Sequence, residues 1–197
     1  MKHLKYIFLS TGIALVSFSS SVLADWTLSP TDSNINFMSV KNAAVTEVHQ
    51  FRNVSGLVTD NGDVKISIDL TSVDTAISIR DDRMKEMLFE TEQFPVATLS
   101  ATVDSDALSG LSAGKTMPIE AEFDLDLHGK KQLLTANLQV TGLENGGLQV
   151  NSIKPILIDS AAFKLDGGVA ALQQVAKLNS IATSVPVNVQ LFFMKKN

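Results

Sequence analysis

Apolar and polar residues alternate with a period of two along most of this chain. That is the signature of β-strands with one dry face and one wet face. Over 64–70, Val64, Ile66, Ile68 and Leu70 share a face, and Lys65, Ser67 and Asp69 take the other. Over 117–127, Met117, Ile119, Ala121, Phe123, Leu125 and Leu127 share one face, opposite Glu120, Glu122, Asp124 and Asp126. Leu134, Ala136, Leu138 and Val140 repeat the pattern, as do Val185, Val187, Val189, Leu191 and Phe193. Shorter versions occupy 35–40 and 98–103. Asp60-Asn61-Gly62-Asp63, His128-Gly129-Lys130-Lys131 and Glu144-Asn145-Gly146-Gly147 read as tight hairpin turns, whose residues accept positive φ. The pattern predicts an all-β fold of about eight strands joined mostly by short turns. Such strands close well into an antiparallel barrel, which removes exposed edges; a two-sheet sandwich fits the alternation nearly as well.

Two segments break the rhythm. In 72–95, Arg80, Asp81, Asp82, Arg83, Lys85 and Glu86 interrupt the alternation. At helical spacing Met84, Met87 and Leu88 share one side there, and Asp82, Lys85 and Glu86 the other, predicting a turn or two of helix over 80–89. In 167–180, Val169, Leu172, Val175, Ala176 and Leu178 recur at helical spacing, predicting a short amphipathic helix before the last strand.

The start of the chain follows a different logic. Lys2 and Lys5 precede a mostly apolar run over 6–18, and a serine run leads to Val22-Leu23-Ala24. This is the layout of a secretory signal peptide, with cleavage expected after Ala24 and residues 25–197 left as one exported domain. The apolar run is too short for a comfortable membrane span and no second one follows, so the cleaved protein is not expected to be integral to a membrane. The chain has no cysteine, which excludes disulfides, thiolate metal sites and a cysteine nucleophile. Its 16 basic and 21 acidic residues give a net charge of −5, and losing Lys2 and Lys5 makes the remainder more acidic. Such a surface repels phosphate backbones, so no nucleic-acid partner is expected.

Candidate chemistry is sparse. Beyond the leader only His49 and His128 remain, far apart in sequence, and no metal-protease, phosphate-loop or nucleophile-elbow motif occurs. No metal and no catalytic residue is therefore expected. His128 reads as a solvated turn residue beside Gly129, and the carboxylates at 120, 122, 124 and 126 as a solvated strand face. What remains is the interior. An eight-stranded barrel is just wide enough to be filled by its own side chains or to hold one small ligand.

A family resemblance sharpens this. Ser72-Val73-Asp74-Thr75, Arg80-Asp81, Leu88-Phe89, Phe94-Pro95 and the strand over 97–103 resemble the signature of the YceI-like polyisoprenoid-binding family. Trp26, Asp32-Ser33, Ile35 and Phe37 upstream are similar to that family's mature start. Leu127-His128-Gly129-Lys130, residues 163–165 and Val185-Pro186-Val187 are similar to its later parts. The resemblance implies a lipocalin-like antiparallel barrel with one or two short helices near its mouth, periplasmic in many members. It further implies a long prenyl or other amphiphilic lipid chain in the lumen, no enzyme activity, and no cofactor beyond that bound isoprenoid or fatty lipid. A membrane donor or acceptor protein is a further conceivable partner. Two positions depart from the family pattern. Its Arg-Asp-x-His-Leu reads Arg80-Asp81-Asp82-Arg83-Met84, and its Phe-Gly reads Phe163-Lys164.

With such a barrel, the residues expected at the lumen or mouth are Phe37, Phe51, Ile68, Leu99, Phe123, Leu125, Leu138, Phe163, Val187 and Leu191. Arg80, Met84, Met87, Leu88, Phe89 and Phe94 join them from the segment that breaks the rhythm. Met84, Met87, Leu88 and Phe89 are expected to close the lumen as a lid. Arg80 either meets a ligand head group or pairs with Asp81 or Asp74 to fix the loop. The competing reading is an interaction or stress-response module whose barrel is filled by its own side chains. A lipid-modifying enzyme ranks last, because no polar constellation is visible for it.

Overall fold

The computed structural model describes residues 24–196. The expected leader over 1–24 thus falls outside the described residues except at Ala24. One antiparallel sheet winds in chain order until its last strand meets its first. The first stave is β1 (Ala24–Leu28) with β2 (Asn34–Lys41), and the second is β3 (Val45–Phe51) with β4 (Val54–Thr59). Next comes β5 (Asp63–Asp69), then the short β6 (Val73–Asp74), which only adds to the edge of β3. The wall continues through β7 (Val96–Thr102), β8 (Thr116–Leu127) and β9 (Lys130–Gly142). A divided stave, β10 (Leu148–Ser152) with β11 (Ile156–Asp159), and β12 (Ser184–Lys195) complete it. β12 pairs with β10 and β11 on one side and with β1 and β2 on the other; Phe193 lies opposite both Leu148 and Leu28. The result is a closed barrel of 8 staves rather than a sandwich. Closure pairs the backbone groups that two open sheets would leave at their edges.

Three staves are interrupted, and such irregularities let a sheet bend tightly enough to close. At the 29–33 break the loosened groups find side-chain partners. Ser29 Oγ donates to Asp32 at 2.6 Å, and Phe192 N donates to Ser33 Oγ at 3.0 Å. The expected hairpins are present. His128 and Gly129 join β8 to β9 with both φ positive, and Asn145 and Gly146 do the same before β10.

Among the described residues three helices close the ends. α1 (Ser78–Arg83) runs directly into a wide turn over Met84–Leu88, where Phe89 N reaches back five residues to Met84 O at 2.9 Å. α2 (Ser105–Ser109) is capped by Asp104, which accepts from Ala107 N at 3.0 Å, and buries Leu108 under one end of the barrel. α3 (Asp166–Val175) ends sooner than its periodicity predicts, because Lys177 turns the chain with φ +54°. α3 lies against the wide turn so closely that a Cβ at Gly168 would stand 2.5 Å from Met87 O, so only glycine fits that contact.

The apolar strand faces meet inside in two layers. Around Trp26, Leu28, Val58, Leu108, Val140, Leu148 and Phe193 they pack the α2 end. Phe37, Leu70, Phe89, Phe123, Phe163 and Leu165 gather at the α1–α3 end.

Lys164 occupies the position where the family pattern has glycine, and its φ is +57°. A side chain there costs about 1 kcal/mol. Its ammonium also crowds that of Lys130, whose pKa is lowered by the hydrogen-bonding contact and the like charge. Lys164→Gly is therefore expected to stabilise the protein by about 1 kcal/mol, read as a shift of the urea midpoint without a change of slope. A lowered midpoint would show that Lys164 makes a stabilising contact that outweighs its backbone strain.

Candidate functional site

The inward faces of all eight staves enclose one elongated cavity of about 250 Å³. A single water needs roughly 10–15 Å³ on the same measure, so the barrel is not filled by its own side chains. Its wall runs from Leu108, Leu148 and Phe193 at the α2 end to Phe37, Leu88, Phe89, Leu165 and Val169 at the α1–α3 end. Every lining side chain but one is aliphatic or aromatic; the exception is Ser160. The alternation decides this: each strand contributes every second residue, as in Val64, Ile66, Ile68 and then Leu70 just beyond β5.

Eleven of the expected residues line the cavity: Phe37, Phe51, Ile68, Leu88, Phe89, Leu99, Phe123, Leu125, Leu138, Val187 and Leu191. Five do not: Arg80, Met84, Met87, Phe94 and Phe163. Met84 is buried in the layer beneath the lid, and Met87 stays partly exposed beside α3. The wide turn is the reason. It adds a residue to the helical repeat, so the inward direction passes from the methionines to Leu88 and Phe89. Phe163 is fully buried in the core of that end but does not line the cavity. Phe94 packs tilted against the ring of His128, centroids 4.5 Å apart.

His128 is not a solvated turn residue. Its Nε2 lies 2.9 Å from Glu90 Oε2 and its Nδ1 3.3 Å from Phe163 O. It ties the β8–β9 turn to the loop after the lid and to the segment before α3. Three lining residues carried no usable sequence signal as such. Leu165 and Val169 belong to a helix region whose partner is set by tertiary packing, and Ser160 is one serine among many.

Arg80 finds a carboxylate partner outside its own segment. Its Nη1 meets Glu47 Oε2 at 2.8 Å, and its Nη2 donates to Thr75 O at 2.6 Å. Asp81 instead accepts from the Thr75 backbone and hydroxyl, while Asp74 pairs with Arg52 at 2.8 Å. The guanidinium thus latches α1 to the inner face of the β2–β3 hairpin. Lys41 joins the same carboxylate at 2.7 Å. The Lys41 hydrogen bond, helped by Arg80, holds Glu47 below its usual pKa.

His49 lies beneath this latch, 4% exposed, its ring 5.2 Å from Phe37 and its Nε2 sharing a 2.8 Å hydrogen bond with Ser39 Oγ. Burial pushes its pKa down; the Arg80 charge adds to this, and Glu47 and Asp81 oppose it. A histidine harder to protonate when folded contributes stability that is complete above its unfolded pKa of about 6.5 and is lost as pH falls below it. Acidification from pH 7 to 5 is thus expected to lower the melting temperature, and His49→Asn to flatten that slope. Equal slopes in the two proteins would show that another group titrates there.

Comparison with known proteins agrees with this architecture. The YceI-like domain profile matches residues 26–193. The chain belongs to the YceI-like family. A solved polyisoprenoid-binding domain from Saccharophagus degradans is 37% identical with a TM-score of 0.87, over 88% of this chain and 100% of that one. BcnA of Burkholderia cenocepacia is 19% identical with a TM-score of 0.63, over 84% of this chain and 98% of its own. A YceI protein of Campylobacter jejuni is 13% identical with a TM-score of 0.55, over 76% and 85%. These last two show likeness of fold. Among curated proteins none matches.

Among the described residues no cluster of histidine and carboxylates could hold a metal, and no helix is long and apolar enough to cross a membrane. The apolar lumen, lined from all eight staves, is the candidate site.

Proposed function

We propose that this YceI-like protein binds a long isoprenoid, of polyprenyl or quinone type, or a similar amphiphilic chain in its lumen, and serves as a carrier or buffer in the periplasm. The observation that carries the reading is the continuous apolar cavity through the barrel. An elongated hydrocarbon matches it, and each methylene moved from water into such a wall gains about 0.8 kcal/mol. The 37% identity to a polyisoprenoid-binding domain supports the same ligand class. The leader-like residues 1–24 support export. The mechanism is binding without chemistry. The lid keeps water from the chain, and the Arg80–Glu47 latch holds the lid to the hairpin. A donor or acceptor membrane protein would supply the occasion for that latch to open.

Native mass spectrometry of protein isolated from its own host tests this. The expected spectrum shows an added lipid mass, identified after extraction as isoprenoid. Protein without added mass, and without uptake of offered quinone or polyprenol, overturns the proposal.

A further inference from the structure

Between β9 and β11 the barrel wall has no ladder. β10 pairs with β9 as far as Ser152 opposite Leu138, and Ile153 N donates to Asn137 O at 2.8 Å. Beyond that point β11 pairs with β12 alone, and the first half of β9 pairs with β8 alone. No backbone hydrogen bond joins β9 to β11 among the described residues. The cause is local. From Asn151 to Ile156 the chain advances five residues while β12 advances three, from Gln190 to Val187. Pro155 lies in that surplus and has no N–H to donate. The break ends toward the lid where Gln132 Nε2 donates to Ala162 O at 3.2 Å.

Both banks of the break belong to the cavity wall. Ala136 lines the cavity from β9, and Ile156 and Ile158 line it from β11. On the outer faces of the same banks, Leu133 and Leu157 are 65% and 62% exposed, and Ile153 above them is 52% exposed. Exposed apolar residues gathered in one place mark contact with another apolar surface. Cations flank them at both ends. Lys154 follows Ile153, and Lys130 and Lys164 crowd each other at the lid end. None of these three lysines makes an ion pair among the described residues, although the chain carries a net charge of −5. Two carboxylates of this face are engaged: Asp124 holds Lys131 at 3.0 Å, and Asp159 accepts from Ala161 N at 3.1 Å.

We infer that the break between β9 and β11 is a side portal, and that the barrel exchanges its lipid by laying this face on a lipid surface with anionic head groups. This rests on the lipid-binding reading and adds the route and the partner surface. Leu133, Ile153 and Leu157 enter the acyl boundary, and Lys130, Lys154 and Lys164 meet the head groups. A hydrocarbon passing between the banks goes from bilayer to lumen without crossing water. Laddered strands could part only by breaking backbone hydrogen bonds; here none has to break. The lid and its Arg80–Glu47 latch can stay closed throughout.

The test offers lipid-free protein a C20 prenyl alcohol from two sources. One is vesicles of phosphatidylethanolamine and phosphatidylglycerol; the other is cyclodextrin, which needs no membrane. Uptake is read by native mass spectrometry after the vesicles are removed. Leu133→Asp/Leu157→Asp is expected to slow uptake from vesicles about tenfold or more and to leave the final occupancy from cyclodextrin unchanged. Lys130→Glu/Lys154→Glu should slow vesicle uptake likewise, and it reads the portal even if the first variant fails to fold. Ile77→Asp/Ile79→Asp puts the same charges on exposed positions of the lid helix and should change neither. If the lid-helix variant slows as much as the other two, or if no variant slows, the portal is overturned. Wild type that loads from cyclodextrin but not from vesicles also overturns it and leaves lipid binding standing, with a donor protein in the place of the membrane. Wild type that loads from neither source overturns the lipid-binding reading, and the portal with it.

Discussion

Trp26→Ala is expected to destabilise the barrel by about 4 kcal/mol, a large share of the 5–15 kcal/mol typical of a domain. Trp26 is 0% exposed, and it is the only tryptophan of the chain. It sits where β1 closes against both β4 and β12, so its indole packs the seam of the barrel. Its Nε1 donates to Gly146 O at 2.9 Å, and Lys195 Nζ lies 5.3 Å from the ring. Truncation removes the largest side chain of the α2-end layer and the donor to the Gly146 carbonyl. Trp26→Phe keeps an aromatic ring but loses the donor and part of the indole's volume; an intermediate cost of about 1–2 kcal/mol is expected for it. Urea unfolding followed by circular dichroism reads both without the lost fluorophore. A cost below about 1 kcal/mol for Trp26→Ala would mean that the seam is held elsewhere.

Ala121→Phe is expected to cut lipid occupancy tenfold or more while the barrel still folds. Ala121 lies directly opposite Ala136 across β8 and β9, and both line the cavity. The pair is where the wall is thinnest in side chain. A phenyl ring at 121 projects into the 250 Å³ that a lipid chain would use. Overpacking costs about 1–3 kcal/mol where no space exists, and less where a cavity receives the group. The control is one residue away. Glu122 is exposed on the opposite face, so Glu122→Phe carries the same ring on the outside and should leave occupancy unchanged. Occupancy is read by native mass and stability by denaturant. If the two variants retain equal lipid, the ligand does not lie in this lumen.

Both predictions depend on features of different legibility. The face to which Ala121 belongs was readable in the sequence, since its neighbours Ile119, Phe123 and Leu125 alternate with carboxylates. A period of two fixes which side of a strand is dry wherever one face is buried. The hairpins at 128–129 and 145–146 were readable for a related reason, because positive φ falls on a short list of residues. Strand faces, turns and family signature together gave the barrel and most of its wall.

Other features needed the folded chain. Of the four expected lid residues Leu88 and Phe89 line the cavity and Met84 and Met87 do not, because one i→i+5 turn rotates the helix face and composition does not announce it. Arg80 found Glu47 rather than Asp74 or Asp81, a partner 33 positions away that only the β2–β3 hairpin brings near. His128 became a half-buried strut for the same reason, its partners being 38 and 35 positions distant. The sequence by itself determined the local properties: which residues face inward, where the chain turns, and that the inside is dry. Tertiary structure decided the rest. It closed the sheet on Trp26 and Phe193 and left a cavity where the barrel could have been full. Periodicity is a property of neighbours along the chain. A cavity or a latch is set by distances between residues that only folding brings together.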